Sequence, residues 1–281
     1  MTTKIGANVV RIDSLDKVTG KALFPADITR PNMLHMKILF SGRPHARVRS
    51  IDVSKAESHP GVVAVFTAVD VPVNEYGLIN ADQPVLVGLG SDKLGADVAR
   101  FVGDQIALII AETDIAAAEA RELISVTWQD LPVITDPYRA MKPDASVLFA
   151  DRDSNIIKHN RIRKGDVGIV WKNCDVIVES VYRTPWQEHA YLQPEAGIAY
   201  IDSEGRVTVE VAGQWVHEEQ KQIAHALDIP IDKVRVIHPA IGGAFGGRED
   251  VSVQIVLALA SWRLHQRGVN RPIKIVWSRE E

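Results

Sequence analysis

The run "DQIALIIAET" at 104–113 constrains the fold more than any other stretch of this chain. Its apolar residues are continuous rather than alternating, so neither face of a strand built from them can be left in water. "DIAAAEARELIS" (114–125) follows without a loop and reads as an alanine-rich helix with Asp114 as its N-cap. "VTWQDLPVITD" (126–136) then returns to strand composition. Strand, helix and strand with short joints predict a mixed first domain that ends near residue 136.

Other segments fit around this unit. "LHMKILFS" (34–41) and "VVAVFTA" (62–68) are β-rich runs bounded by Pro and Gly and are expected to be strands. Residues 1–30, broken by Gly20 and Pro25 and followed by Pro31, read as an irregular arm. The stretch 137–155 carries two prolines and few periodic apolar positions, as a linker does. Beyond it, strands are expected at 174–184, 197–203, 207–213 and 233–238. A helix over 217–228 has Ile223, Ala224 and Leu227 at helical spacing and stops before Pro230. The second helix, 251–268, is apolar nearly all round until Arg263 and must be buried. The closing "RPIKIVWSREE" has a strand pattern with no element after it, so the second domain is expected to be unfinished and completed by another segment or chain.

Composition excludes several classes. The 281 residues are 46% hydrophobic and 24% charged with net charge −4, so no basic field points to nucleic acid or an anionic membrane. No apolar run reaches the roughly 18–20 residues needed to span a bilayer, and the start lacks a signal-peptide core; the expected location is the cytoplasm. The single cysteine, Cys174, cannot build a disulfide framework or an iron–sulfur cluster and is expected to fill the core. The nine histidines show no ligand spacing.

"IGGAFGGRED" (241–250) lies between an expected strand and an expected helix, an arrangement that aims free backbone N–H groups at an anion. It is neither a Walker loop nor a GxGxxG fingerprint, because Gly247 is followed by Arg248 and Glu249, and Ala244 stands between Gly243 and Phe245. A tight turn with glycines for close packing is the structural alternative. Gln214, in "VAGQWVHEEQ", lies 31 residues before Phe245, and both follow strands and precede helices. In a sheet such ends converge on one crevice. "TPWQEHAYLQPE" (184–195) places Gln187, Glu188 and His189 ahead of another strand.

Taken together, these segments resemble the molybdenum-binding subunit of the xanthine dehydrogenase/aldehyde oxidase family. The family's GGGFGGKE appears as Gly-Gly-Ala-Phe-Gly-Gly-Arg-Glu at 242–249, and its QEHFYLE as "QEHAYLQPE" at 187–195. "DKVTGKALFPADI" (16–28), "SGRPHARVRSID" (41–52), "GVVAVFTAVDVP" (61–72) and "FVGDQIALIIAET" (101–113) are similar to its hammerhead domain. The resemblance implies an α+β (mixed α/β) fold in four parts. These are an arm (1–15), the a/b hammerhead domain (16–136), a linker (137–155), and the first, incomplete part of a molybdopterin-binding domain (156–281).

It also implies chemistry. In this family a pyranopterin dithiolene holds molybdenum, and the protein surrounds it with hydrogen bonds. By resemblance Gln214 faces the metal's oxo ligand through its amide NH₂. Phe245 and Gly246 present backbone N–H groups, Gly243 and Ala244 lie against the cofactor, and Phe245 walls off water. Gln214 and Phe245 are the residues nearest the metal. Glu249 stands where purine-hydroxylating members place a glutamate against the heterocycle; the plainer reading makes it decoration of a helix N-terminus. The implied reaction is R–H + H₂O → R–OH + 2e⁻ + 2H⁺, on a purine such as xanthine. The alternatives are nicotinate, another N-heterocycle or an aldehyde, or a non-catalytic scaffold fragment. The family's general base and a substrate-holding arginine fall beyond residue 281, so this chain is expected to be inactive alone. Iron–sulfur clusters and FAD belong to partner subunits.

Overall fold

The computed structural model describes residues 5–279 and 281. Residues 1–4 of the expected arm and residue 280, at the end of the expected last strand, lie outside the described residues. The chain divides into two compact units, one formed by residues up to Val133 together with Tyr191–Glu281, the other by Ile134–Ala190.

In the larger unit an exposed arm with one short helix, α1 (Ser14–Val18), leads into strands β1 (Leu34–Phe40) and β2 (Ala46–Asp52). Helix α2 (Ser54–Glu57), β3 (Val62–Phe66), β4 (Val98–Ala99), β5 (Gln105–Ala111), α3 (Asp114–Arg121) and β6 (Ser125–Asp130) follow. β5 is buried on both faces, as its unbroken apolar run requires. Leu108 and Ile110 join one cluster, while Ala107, Ile109 and Ala111 join another with Ala117 and Ala120 of α3. The cap of α3 is Thr113 rather than Asp114: the Thr113 hydroxyl accepts the Ala116 N–H at 3.1 Å. Thr113 is in extended geometry, so its oxygen reaches the free amides of the first turn, whereas Asp114 is already helical.

After the smaller unit come β7 (Ala196–Ile201) and β8 (Val207–Val211). Helix α6 (Val216–Leu227), β9 (Val234–Ile237), helix α7 (Gln254–Gln266) and β10 (Ile273–Val276) complete the chain. The last strand is not without a partner. It lies in the middle of a seven-stranded sheet of order β3-β5-β1-β10-β7-β8-β9, parallel to β1 and antiparallel to β7. β4, β2 and β6 form a separate three-stranded sheet. Helix α7 is buried along most of its length, from Gln254 to Ser261, against β7, β8 and β10, as its nearly all-apolar sequence demands. It starts at Gln254, three residues later than the expected 251. Among the described residues no helix is long and apolar enough to cross a membrane.

The smaller unit contains two short helices, α4 (Pro137–Ala140) and α5 (Val167–Lys172). Asn155 ties its loops by donating to the carbonyls of Ala140 and Ser146 and accepting from Leu148 N. The strand expected over 174–184 does not form. A strand needs a neighbour for its N–H and C=O groups, and none is formed among the described residues of this unit. Val176, Val178, Val181 and Tyr182 are exposed. Cys174 is likewise exposed rather than core-filling, and donates to the Val170 carbonyl.

Candidate functional site

β8, α6 and β9 form a strand–helix–strand crossover whose parallel strands end level with each other, Glu210 opposite Ile237. The segments leaving those two ends therefore emerge side by side. One carries Gly213 and Gln214; the other runs through His238 into the glycine loop. This register brings together Gln214 and the loop, which are distant in sequence.

Their contact is direct. The Gln214 side-chain carbonyl accepts the N–H groups of Gly246 (3.0 Å) and Arg248 (3.2 Å), and the Gln214 backbone N–H donates to the Arg248 carbonyl (3.0 Å). With its oxygen committed, Gln214, an exposed residue, keeps an NH₂ that has no hydrogen-bond partner among the described residues. Gly246 thus differs from the expectation: its N–H is spent on Gln214 and is not open to a ligand. The N–H groups of Gly243, Ala244 and Phe245 have no hydrogen-bond partner among the described residues. The backbone here is far from helix or strand, with φ of 106° at Gly243, 54° at Phe245 and 93° at Gly246. For Phe245 that is a strained left-handed conformation, of a kind that clusters at functional sites. Its ring is 74% exposed.

Beneath the loop lies a clamp that the sequence reading did not foresee. Arg248, 1% exposed, uses all three guanidinium nitrogens: Nε to Glu195 Oε1 (2.8 Å), one terminal nitrogen to the Gly243 carbonyl (2.6 Å), the other to the Gln193 carbonyl (2.7 Å). It also stacks over the Tyr191 ring at 3.9 Å. Glu195 is satisfied in turn by the Tyr191 and Ser252 hydroxyls, each at 2.8 Å. The Gln193 side chain accepts Gly242 N–H at 2.6 Å, while its buried NH₂ has no partner among the described residues.

Glu249 is half-buried, and its carboxylate has no hydrogen-bond partner among the described residues. The helix-decoration reading fails, because α7 begins five residues later and has no acid in its first turn. The free amides ahead of α7 are met instead by Gln254, whose side-chain oxygen accepts from Ser252 N and Val253 N. Asp250 has a local role, accepting Val251 N–H at 2.8 Å. Near it, burial pushes the Tyr76 hydroxyl above its ordinary range, with Asp250, Asp104 and Asp82 adding to the effect. Gln187, Glu188 and His189 lie in the smaller unit, exposed.

Among the described residues no cluster of three His, Cys, Asp or Glu side chains has metal-binding geometry. What the site offers is donors: three consecutive backbone N–H groups and the Gln214 NH₂. Such a set suits a group whose periphery is oxygen, sulfur or phosphate, and so fits a metal carried by its own organic ligand.

Residues 148–281 match the molybdopterin cofactor-binding domain family, and residues 19–132 the aldehyde oxidase and xanthine dehydrogenase a/b hammerhead domain. The chain is 38% identical over 278 residues to the nicotinate dehydrogenase large molybdopterin subunit of Eubacterium barkeri, covering 99% of this chain and 62% of that protein. It is 31% identical over 284 residues to the xanthine dehydrogenase molybdenum-binding subunit of Escherichia coli O157:H7, covering 97% and 36%. The aldehyde oxidoreductase structure from Desulfovibrio gigas superimposes with a TM-score of 0.81 at 25% identity, over 95% of this chain and 30% of that one. The chain thus spans less than two thirds of the length of each.

Proposed function

Because this chain belongs to the xanthine dehydrogenase/aldehyde oxidase family, we propose that it forms one wall of a molybdenum hydroxylase active site acting on an electron-poor N-heterocycle. The observation that carries this reading is the lock between Gln214 and the glycine loop, beside which one amide NH₂ and three successive backbone N–H groups are left without a hydrogen-bond partner among the described residues. When bound, the molybdenum–pterin group supplies the two-electron oxidation that accompanies hydroxylation with water-derived oxygen.

The chain's own residues hold and orient. The Gln214 NH₂ and the N–H groups of Gly243, Ala244 and Phe245 would hold this group by donating to acceptors on its periphery. Gly246 acts through Gln214, fixing its rotamer by donating to its carbonyl. Pre-aimed donors of this kind need no reorganisation when charge develops. The Phe245 ring excludes water from one side. Glu249, whose carboxyl group has no hydrogen-bond partner among the described residues, hydrogen-bonds the heterocycle.

A base and a cationic substrate contact come from polypeptide outside these residues, and electrons leave to iron–sulfur and FAD-bearing partners in the cytoplasm. The domain boundaries at 16–136, 137–155 and 156–281 belong to the same reading. Glu249 favours a purine. The 38% identity to a nicotinate dehydrogenase subunit favours nicotinate as the second reading.

Glu249→Val in the native assembly tests the assignment. The expected outcome is a fall of about 100-fold in kcat/KM for xanthine, equivalent to about 2.7 kcal/mol, with aldehyde oxidation spared. Equal losses on purine and aldehyde would remove the proposed role of Glu249. Turnover of nicotinate but not xanthine by the unmodified assembly would select the second reading.

A further inference from the structure

Helix α6 buries Ile223, Ala226 and Leu227, and one turn before Ile223 the same stripe carries Glu219, whose side chain is fully buried. An acid in an apolar stripe is costly unless its oxygens are satisfied. Glu219 is only half satisfied: Oε2 meets His238 Nε2 at 2.8 Å, and Oε1 has no partner among the described residues. A leucine would fill this position without that cost.

What the pair touches explains its presence. A Cβ on Gly213 would overlap Glu219 Oε1 and stand 2.7 Å from His238 Nε2, so carboxylate and imidazole together press on the Gly213 backbone. Gly213 is two residues beyond β8 and immediately precedes Gln214. His238 is the first residue beyond β9 and leads into the glycine loop. The Glu219–His238 contact therefore ties α6 to the segment just past β9, and Gly213, just past β8, is packed against both groups.

We propose that Glu219 and His238 are a buried positioning pair, which sets the height of the Gly213–Gln214 corner so that the Gln214 carbonyl collects the N–H groups of Gly246 and Arg248. The positioning stands on the geometry alone; its consequence for cofactor binding rests on the role proposed for Gln214.

Hydrogen–deuterium exchange on the native assembly reads the positioning without any turnover. Glu219→Leu, which suits the apolar stripe but cannot bond His238, is expected to speed exchange in peptides covering Gln214 and 246–248. The expected change is about tenfold or more, with exchange in β1 and β5 unchanged. Glu219→Gln, which still bonds His238, is expected to restore protection. His238→Phe makes the same measurement from the other side should Glu219→Leu not fold. Exchange that is unchanged at the loop, or raised equally everywhere, overturns the proposal. Molybdenum content measured on the same samples separates the two readings. Loss in step with loop exposure supports both, whereas a loosened loop with full molybdenum supports the positioning pair and overturns the cofactor-facing role of Gln214.

Discussion

A guanidinium holds its donors in a rigid planar fork, whereas an ammonium is a point charge on a flexible stem. The resemblance leads one to expect lysine where Arg248 stands, and the exchange looks mild in sequence. The structure gives it weight, because each of the three nitrogens has its own acceptor on a different part of the loop's support. Removing the cation leaves Glu195 buried without a countercharge. Arg248→Met should therefore cost about 3–5 kcal/mol in urea unfolding, and Arg248→Lys about 1.5–3 kcal/mol through its lost directed bonds. Adding Glu195→Gln to Arg248→Met should recover part of the loss, since the stranded charge goes with it. Strict additivity of the two changes would show that the pair is not coupled. The sequence held a trace of this clamp, because Glu195 directly precedes the apolar run of β7, whereas Glu219, flanked by Glu218 and Gln220, reads as a surface acid. Only the three-dimensional neighbours, Arg248 and His238, show what each acid pairs with.

At the level of elements, the β7–β8 hairpin is held by one carboxylate. Asp202 accepts the backbone N–H groups of Glu204 and Arg206, the Arg206 Nε, each at 2.9 Å, and the Thr208 hydroxyl at 3.1 Å. Desolvation pushes its pKa up, but these bonds outweigh it and hold Asp202 at about 2, below its ordinary 3.8. A lowered folded-state pKa stabilises fully above the unfolded value and is lost as pH falls through the folded one. The hairpin's contribution is thus complete above about pH 4 and disappears toward pH 2. Asp202→Asn should destabilise the protein by about 1–2 kcal/mol at pH 7 and flatten the pH dependence between 4 and 2, read by urea unfolding at both ends. An unchanged slope would mean that other carboxylates govern acid unfolding. Elements whose burial is encoded within their own residues were legible: β5 from its unbroken apolar run, α6 from its helical spacing and α7 from its nearly all-round apolar sequence. Segment 174–184 has strand-like alternation but no neighbour to pair with, and alternation alone does not make a ladder. The reverse error occurred at β10, which looked partnerless because β1, its parallel neighbour, lies more than 200 residues earlier. Of the candidate site, Gln214 and the glycine loop, which the structure brings into contact, were readable through their motifs, while their supports were not.

For the larger unit as a whole, that pairing decides how it unfolds. Strands β3, β5 and β1 come from the hammerhead segment and β10, β7, β8 and β9 from the cofactor-binding segment, yet they share one sheet. One hydrophobic cluster runs through both, from Leu34, Met36 and Ile110 to Val209, Leu257 and Ile275. Neither segment can open without exposing the other's apolar face, because the side chains of α7 lie against the sheet on both sides of the β1–β10 seam. Two matched families in sequence therefore need not mean two independent folding units. Calorimetry on the full chain should show a single transition for this unit, with calorimetric and van't Hoff enthalpies in agreement. Fluorescence changes at Trp128 in β6 and Trp262 in α7 should share one midpoint. Separate midpoints would show that the seam between β1 and β10 yields first, and the glycine loop would then be free to lose its alignment while the hammerhead segment stays folded.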